Sequence, residues 1–385
     1  MLLQTRLGNT MKIFYAVFAL ISALFLHSRS ANAFPEMVRY GYTNCNACHV
    51  SLTGGGVLND YGREIAREKL ALFKSDDEKN KEHLFAYGAL SNASIAKYLK
   101  MGGDVQSVYY ILNNDSEKVA QTIFMQGDLE AAFVKGKWTI DATGGIEQPV
   151  PGKTVDFISR RHYIAYAVTD TFNIRVGKYV PAFGIKNPEH IFITRDQLQF
   201  SDDFESYNLE LSYITDQWNV FLTGVFGRFD DQQATQDRGA TAQISYAPTE
   251  RIKFGFNEWY GKQETGVSRY VAGIFGMAGI TNKLYASSEI DYQTLLVPTS
   301  PNQTGIASTQ KISYEVLEGF WAAVIEEYGK IDFVTPTTQS EDYGLELEIF
   351  PRSHFQFSLA YQRKRDGGGT ADFYDYYWLV SHFYF

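Results

Sequence analysis

The chain has 385 residues, a net charge of −9 at pH 7 and only two cysteines. The acidic balance disfavours nucleic acid as a partner. Two cysteines cannot supply the disulfide framework that holds small secreted domains together, so the bulk of the chain must form a large fold by its own burial.

Lys12 precedes an apolar run, Ile13 to Leu26, and Ala31-Asn32-Ala33 then gives an A-x-A cleavage pattern before Phe34. The run is too short to span a bilayer, so residues 1–33 read as a secretory signal peptide, with Met11 as an alternative start. These residues hold Arg6, Lys12 and Arg29 and no acid, so the chain without them carries a net charge of −12.

Next comes Cys45-Asn46-Ala47-Cys48-His49, the pattern C-x-x-C-H of a c-type haem attachment site. Two thiols three positions apart can each form a thioether to one haem vinyl group, and the adjacent histidine is then held against the iron as the proximal ligand. The cofactor expected is one covalent haem c on Cys45, Cys48 and His49. A zinc site would want further ligands, and no second C-x-x-C completes one. A thioredoxin-like pair would sit at a helix start inside βαβ units, and a disulfide across three residues would be strained.

Residues 34–83 form the haem-binding module. Gly54-Gly55-Gly56 reads either as a flexible turn or as backbone approaching a flat cofactor. Asn59 or Asp60 can cap a helix whose apolar face is Ile65, Ala66, Leu70 and Phe73, packed on the haem edge or on the rest of the module. The candidates for a distal iron ligand are His83, Met101 and Met37, none in a persuasive context. A sixth position left open, filled by water or supplied by the rest of the chain is equally consistent with the sequence. Residues 75–82 are a run of charged and polar residues that reads as a solvated linker.

Residues 84–385 are a second domain. From about residue 98 the pattern has period two: Tyr343, Leu345, Leu347 and Ile349 alternate with Gly344, Glu346 and Glu348, and Phe355, Phe357, Leu359 and Tyr361 with Gln356, Ser358 and Gln362. Such alternation over about ten residues per run is the signature of a transmembrane β-barrel, although a soluble sandwich shares it. Connections alternate between short turns (near 136, 170, 216, 248, 280, 318 and 352) and longer loops (near 115, 150, 180–205, 233, 265, 300, 335 and 368). That predicts about sixteen strands with both ends on the short-turn side. Trp138, Trp218, Trp321 and Phe172 come just after short turns and predict an aromatic girdle. Asp128, Glu130, Asp141, Glu210, Glu289, Asp291 and Glu315, mixed with Arg175, Arg251, Lys253 and Lys311, are expected to face the lumen. The fold class expected is mainly β: a transmembrane antiparallel β-barrel of about sixteen strands with a small α-helical N-terminal haem module.

The chain ends on a strand whose last residue is Phe385, with Phe383 and Leu379 on the same face. This resembles the C-terminal signal of bacterial outer-membrane barrels. The long 180–205 connection is similar to the third external loop of sixteen-stranded porins, which folds inward and narrows the pore. Gly177-Lys178-Tyr179-Val180-Pro181-Ala182-Phe183-Gly184 looks like a motif of the phosphate-selective porin family, but the loop's mixed charge departs from the basic ring an anion pore wants. Taken whole, the chain resembles a bacterial outer-membrane porin-like barrel carrying an N-terminal c-type cytochrome domain.

That resemblance implies electron transfer at the outer membrane, with the haem module facing the periplasm. Its partners would be periplasmic electron carriers or a partner cytochrome, and outer-membrane lipid. The alternative is a porin or channel in which the module is a plug, gate or redox sensor. An electron carrier rather than an enzyme is expected, because no catalytic triad or distal acid–base pair has recognisable spacing. A peroxidase-like activity at an open iron is the minor alternative.

Overall fold

The computed structural model describes residues 35–74, 93–114, 118–148, 154–187, 192–200, 204–230, 235–369 and 371–385. The signal-peptide reading, the linker and His83 lie outside the described residues. Seventeen strand segments form one closed antiparallel sheet. They are β1 (Leu99–Asn113), β2 (Lys118–Lys135), β3 (Trp138–Glu147), β4 (Asp156–Ile158), β5 (His162–Ala167), β6 (Phe172–Tyr179), β7 (Ser206–Ile214), β8 (Trp218–Val225), β9 (Arg238–Thr249), β10 (Ile252–Lys262), β11 (Ser268–Gly279), β12 (Leu284–Leu296), β13 (Gln303–Leu317), β14 (Phe320–Lys330), β15 (Gln339–Ile349), β16 (Phe355–Asp366) and β17 (Tyr374–Tyr384). The ring closes where β1 pairs β17, from Asp104 opposite Tyr384 to Asn113 opposite Asp375.

β4 and β5 both pair β3 and are one interrupted strand, so the barrel has the sixteen strands that the turn pattern predicts. The interruption has a chemical cause. Arg160 reaches Asp128 at 3.0 Å and Glu147 at 2.6 Å, and Arg161 reaches Glu130 at 2.9 Å. Consecutive residues of a regular strand face opposite sides. Two adjacent arginines can both serve the lumen only if the strand breaks between them.

The outer face is apolar across strand boundaries. Ile312, Val324 and Leu345 are paired neighbours on β13, β14 and β15 and are 54%, 57% and 59% exposed. A continuous apolar band of this kind is stable against lipid and not against water. Trp138 and Trp218 stand on this face beside Tyr166 and Tyr246, with ring centroids 4.6 and 4.5 Å apart. Trp321 does not join them. It is buried on the inner face, its Nε1 donating to Glu315 at 3.2 Å, because it is the second residue of its strand rather than the first. Arg251 also departs from expectation: it lies exposed in the turn between β9 and β10 and hydrogen-bonds Asn282.

The lumen is occupied from both ends. The connection between β6 and β7 runs inward. Gly184 N donates to Asn257 at 3.0 Å, Ile185 N to Glu289 at 2.8 Å and Ile193 N to Glu327 at 2.6 Å. Gly184 is in the left-handed region (φ +58°), and a Cβ there would strike the Glu289 carboxylate. At the short-turn end, residues 35–74 fill the ring. Lys311 of β13 sits among Glu36 of the segment (3.3 Å) and Glu346 and Glu348 of β15 (both 3.0 Å). Arg39 pairs with Glu315 at 3.2 Å and lies over the Trp321 ring at 4.2 Å. Arg175 of β6 donates to Ser51 and Thr53, and Lys253 of β10 to the Thr43 carbonyl at 2.8 Å. Lys186 of the inward loop reaches the Gly54 carbonyl at 3.2 Å, so the two fillings touch.

Leu345→Arg places a charge on the outer band and should cost roughly 2–4 kcal/mol at mid-bilayer, read as a lower denaturant midpoint in lipid vesicles. An unchanged midpoint would contradict a lipid-facing band. Lys311→Met leaves three carboxylates facing one another, a defect on the order of 3–5 kcal/mol. It should expose residues 35–74 to trypsin while the barrel stays folded; a segment as protected as in the wild type would contradict this anchoring.

Candidate functional site

The C-x-x-C-H stretch winds one helical turn: the N–H groups of Cys48 and His49 both donate to the Cys45 carbonyl, at 3.3 and 3.1 Å. Asn59 ties this turn to the helix Asp60–Ile65. Its Nδ2 donates to the Ala47 carbonyl at 2.7 Å, and its Oδ1 caps the helix through Gly62 N at 2.8 Å. The capping role was legible in the sequence; the bridge back to Ala47 was not. The helix gives way to a wider turn over Ala66–Leu70, and its apolar face packs on the barrel wall. Ala66, Leu70 and Met37 cluster with Trp321 and Phe350. Phe73 is not part of that face: it lies beyond the helix, exposed, with its N–H on the Pro351 carbonyl.

Between the motif and the helix the chain doubles back, Val50 N donating to Val57 O at 3.0 Å. Gly54, Gly55 and Gly56 form the tip, all left-handed (φ +82°, +72° and +67°). Three successive residues of that conformation are accessible only to glycine. A Cβ on Gly56 would also strike the Glu130 carboxylate of β2. The glycines therefore shape a tight loop held against the wall, rather than a flexible turn.

Above this loop lies a cavity of about 310 Å³, bounded by Cys45, His49 and Gly54–Gly56 below and by the inward loop around Ala182–Lys186 above. The His49 Nδ1 lies 3.4 Å from the Gly56 carbonyl. A ring steadied through Nδ1 presents Nε2 on its other side, as axial and metal-bound histidines do. His49 is only partly exposed, and that to the cavity. Burial first, then the positive charges of Lys186 and Arg161, lower its pKa to about 4. The imidazole is thus neutral near pH 7, the form that coordinates a metal. Cys48 is buried beneath the turn and is not on the cavity wall. The sulfurs of Cys45 and Cys48 are not bonded to each other.

The distal-ligand candidates drawn from the sequence are not brought to this cavity. Met37 is buried in the apolar cluster against Trp321, since its neighbours Glu36 and Arg39 are drawn to Lys311 and Glu315. Met101 is on β1, where its carbonyl accepts from Arg63, and its side chain does not line the cavity. The cavity does bring in two side chains the sequence reading passed over, Met277 of β11 and His382 of β17. Among the described residues, no group of three or more His, Cys, Asp or Glu is arranged to hold a bare metal ion.

No protein-family model and no curated protein sequence matches the chain. Solved structures do match its fold. A loop-deletion form of OmpT, an outer membrane protein of Vibrio cholerae, aligns with a TM-score of 0.60 at 13% identity over 74% of this chain and 99% of that one. OprB of Pseudomonas putida aligns with a TM-score of 0.61 at 10% identity over 83% and 99%. An anion-selective porin from Comamonas acidovorans aligns with a TM-score of 0.58 at 9% identity over 74% and 99%. At these identities the likeness is one of fold: the chain is a porin-like sixteen-stranded β-barrel.

Proposed function

We propose that the protein is an electron carrier of the bacterial outer membrane, a porin-like barrel holding one covalent haem c inside its lumen. The observation that carries this reading is the position of Cys45 and His49. Both line an internal cavity, and His49 is steadied through Nδ1 as an axial ligand is. Cys45 and His49 fit the group as they stand. Cys48, three residues on in the same turn, would take the second vinyl group. In each addition the thiol sulfur bonds one vinyl carbon and its hydrogen passes to the other, so nothing leaves. When bound, haem supplies a one-electron ferric–ferrous couple.

The protein's own residues then set the environment. The barrel wall and the inward loop surround the cavity, and Lys186 and Arg161 place positive charge near His49. Such charge disfavours the ferric state and raises the potential. The donor or acceptor is a periplasmic electron carrier or a partner cytochrome approaching the short-turn end, which faces the periplasm in porins. One haem does not reach across a hydrocarbon layer of about 30 Å unaided, so exchange at the periplasmic side is the simplest role.

A second reading is favoured by the likeness to porins. The barrel would be a channel, with residues 35–74 as its plug or gate. The inner charges bear on it: Glu130, Glu210, Glu289 and Glu315 are each ion-paired within the lumen, with Arg161, Arg175, Arg195 and Arg39.

Detergent-extracted protein should show a covalent haem by the pyridine haemochrome assay, with sharp reduced bands, and Cys45→Ala/Cys48→Ala should lose it while the barrel still folds. Wild-type protein without haem but with steady single-channel conductance would pass the function to the channel reading.

A further inference from the structure

We propose that His382, on the last strand of the barrel, supplies the sixth ligand to the iron of a haem attached at Cys45, Cys48 and His49. This rests on the haem reading above and adds to it that the barrel, not the N-terminal module, completes the cofactor site.

The neighbours of His382 place the proton on its ring. Gln356 Nε2 donates to Glu348 at 3.1 Å, which fixes its amide. Gln356 Oε1 therefore faces His382 Nδ1, 3.0 Å away, and must accept a hydrogen from it. A neutral ring with its hydrogen on Nδ1 carries a lone pair on Nε2. Asp104 Oδ1 lies 3.1 Å from that atom, close enough to pair with the ring when it carries a second proton. A lone pair facing a carboxylate oxygen calls for a cation between or beside them. Either the ring holds a second proton, or the lone pair serves a metal. His49 and His382 are thus alike: each is held through Nδ1 by a carbonyl oxygen, and each lines the same cavity.

The loop that carries His49 also meets the wall at the seam where His382 stands. The loop that carries His49 ends against β1, where a Cβ on Gly102 would lie 3.3 Å from Val57 Cγ2. The next residue, Gly103, exchanges backbone hydrogen bonds with Phe385 at 3.2 and 3.0 Å. Asp104, the partner of His382, comes directly after. The end of His49's loop and the His382–Asp104 pair therefore share one seam of the barrel, where β1 meets β17. Met277, which also lines the cavity and stands opposite Lys253 on the neighbouring strand, is the rival ligand that the experiment separates.

Wild-type holoprotein, isolated from membranes and oxidised, should give a low-spin ferric spectrum by visible absorption and electron paramagnetic resonance. His382→Ala should keep its covalent haem and turn high-spin, and added imidazole should restore the low-spin state. His382→Gln, which can still hydrogen-bond Gln356 and Asp104, should also be high-spin, which separates ligation from a structural ion pair. Met277→Ala should remain low-spin. Low-spin His382→Ala and His382→Gln proteins, or a high-spin Met277→Ala protein, would overturn the assignment. A wild type with haem but already high-spin would also overturn it while leaving the haem reading intact. A wild type with no haem would overturn both.

Discussion

A closed ring of sixteen strands is too wide for its own side chains to fill, and what occupies the lumen decides what this molecule can do. Here two stretches of the same chain enter it. The β6–β7 connection descends from the long-loop side and fastens to Asn257, Glu289 and Glu327. Residues 35–74 enter from the short-turn side and fasten to Lys311, Glu315, Arg175 and Lys253. The inner wall is rich in charge because it faces a polar filling, and the opposite charges arrive from the loop and the N-terminal segment. Each buried ion pair is a poor source of net stability. Together they fix where the C-x-x-C-H turn sits.

That placement changes what the motif is able to do. Hung below the barrel, the turn would be open to water. Inside, Cys45 and His49 look into a cavity whose roof is the inward loop and whose walls are strands. Whatever occupies that cavity takes its polarity and charge from the barrel as well as from the motif. Burial lowers the pKa of His49, and Gly54–Gly56 brings backbone carbonyls to it in a conformation other residues would resist.

Much of this was legible in the sequence. Period-two alternation gave the strands, and the contrast between short turns and long loops gave their number and direction. The stretch 180–205 was bounded to the residue, because strand alternation stops at Tyr179 and resumes at Ser206. Other features were not legible because they depend on parity or on distant pairing. Trp321 comes after a short turn as Trp138 and Trp218 do, yet a shift of one residue turns it inward. Arg160 and Arg161 break alternation, and only their partners on β2 explain why. Met37 and Met101 are suitable residue types near the motif, but apolar packing on Trp321 and a place low on β1 keep them from the cavity. His382 lies at the other end of the chain, and only the closure of β1 on β17 brings it near.

The mass of one peptide tests the central claim most directly. Trypsin cuts after Arg39 and Arg63, and no lysine or arginine lies between them, so residues 40–63 are released as a single fragment holding both cysteines and His49. Recovered from outer-membrane preparations of the full-length protein, that fragment should be heavier by one haem. Recovery of the same fragment unmodified from those membranes would contradict the claim that this barrel carries a covalent cofactor in its lumen.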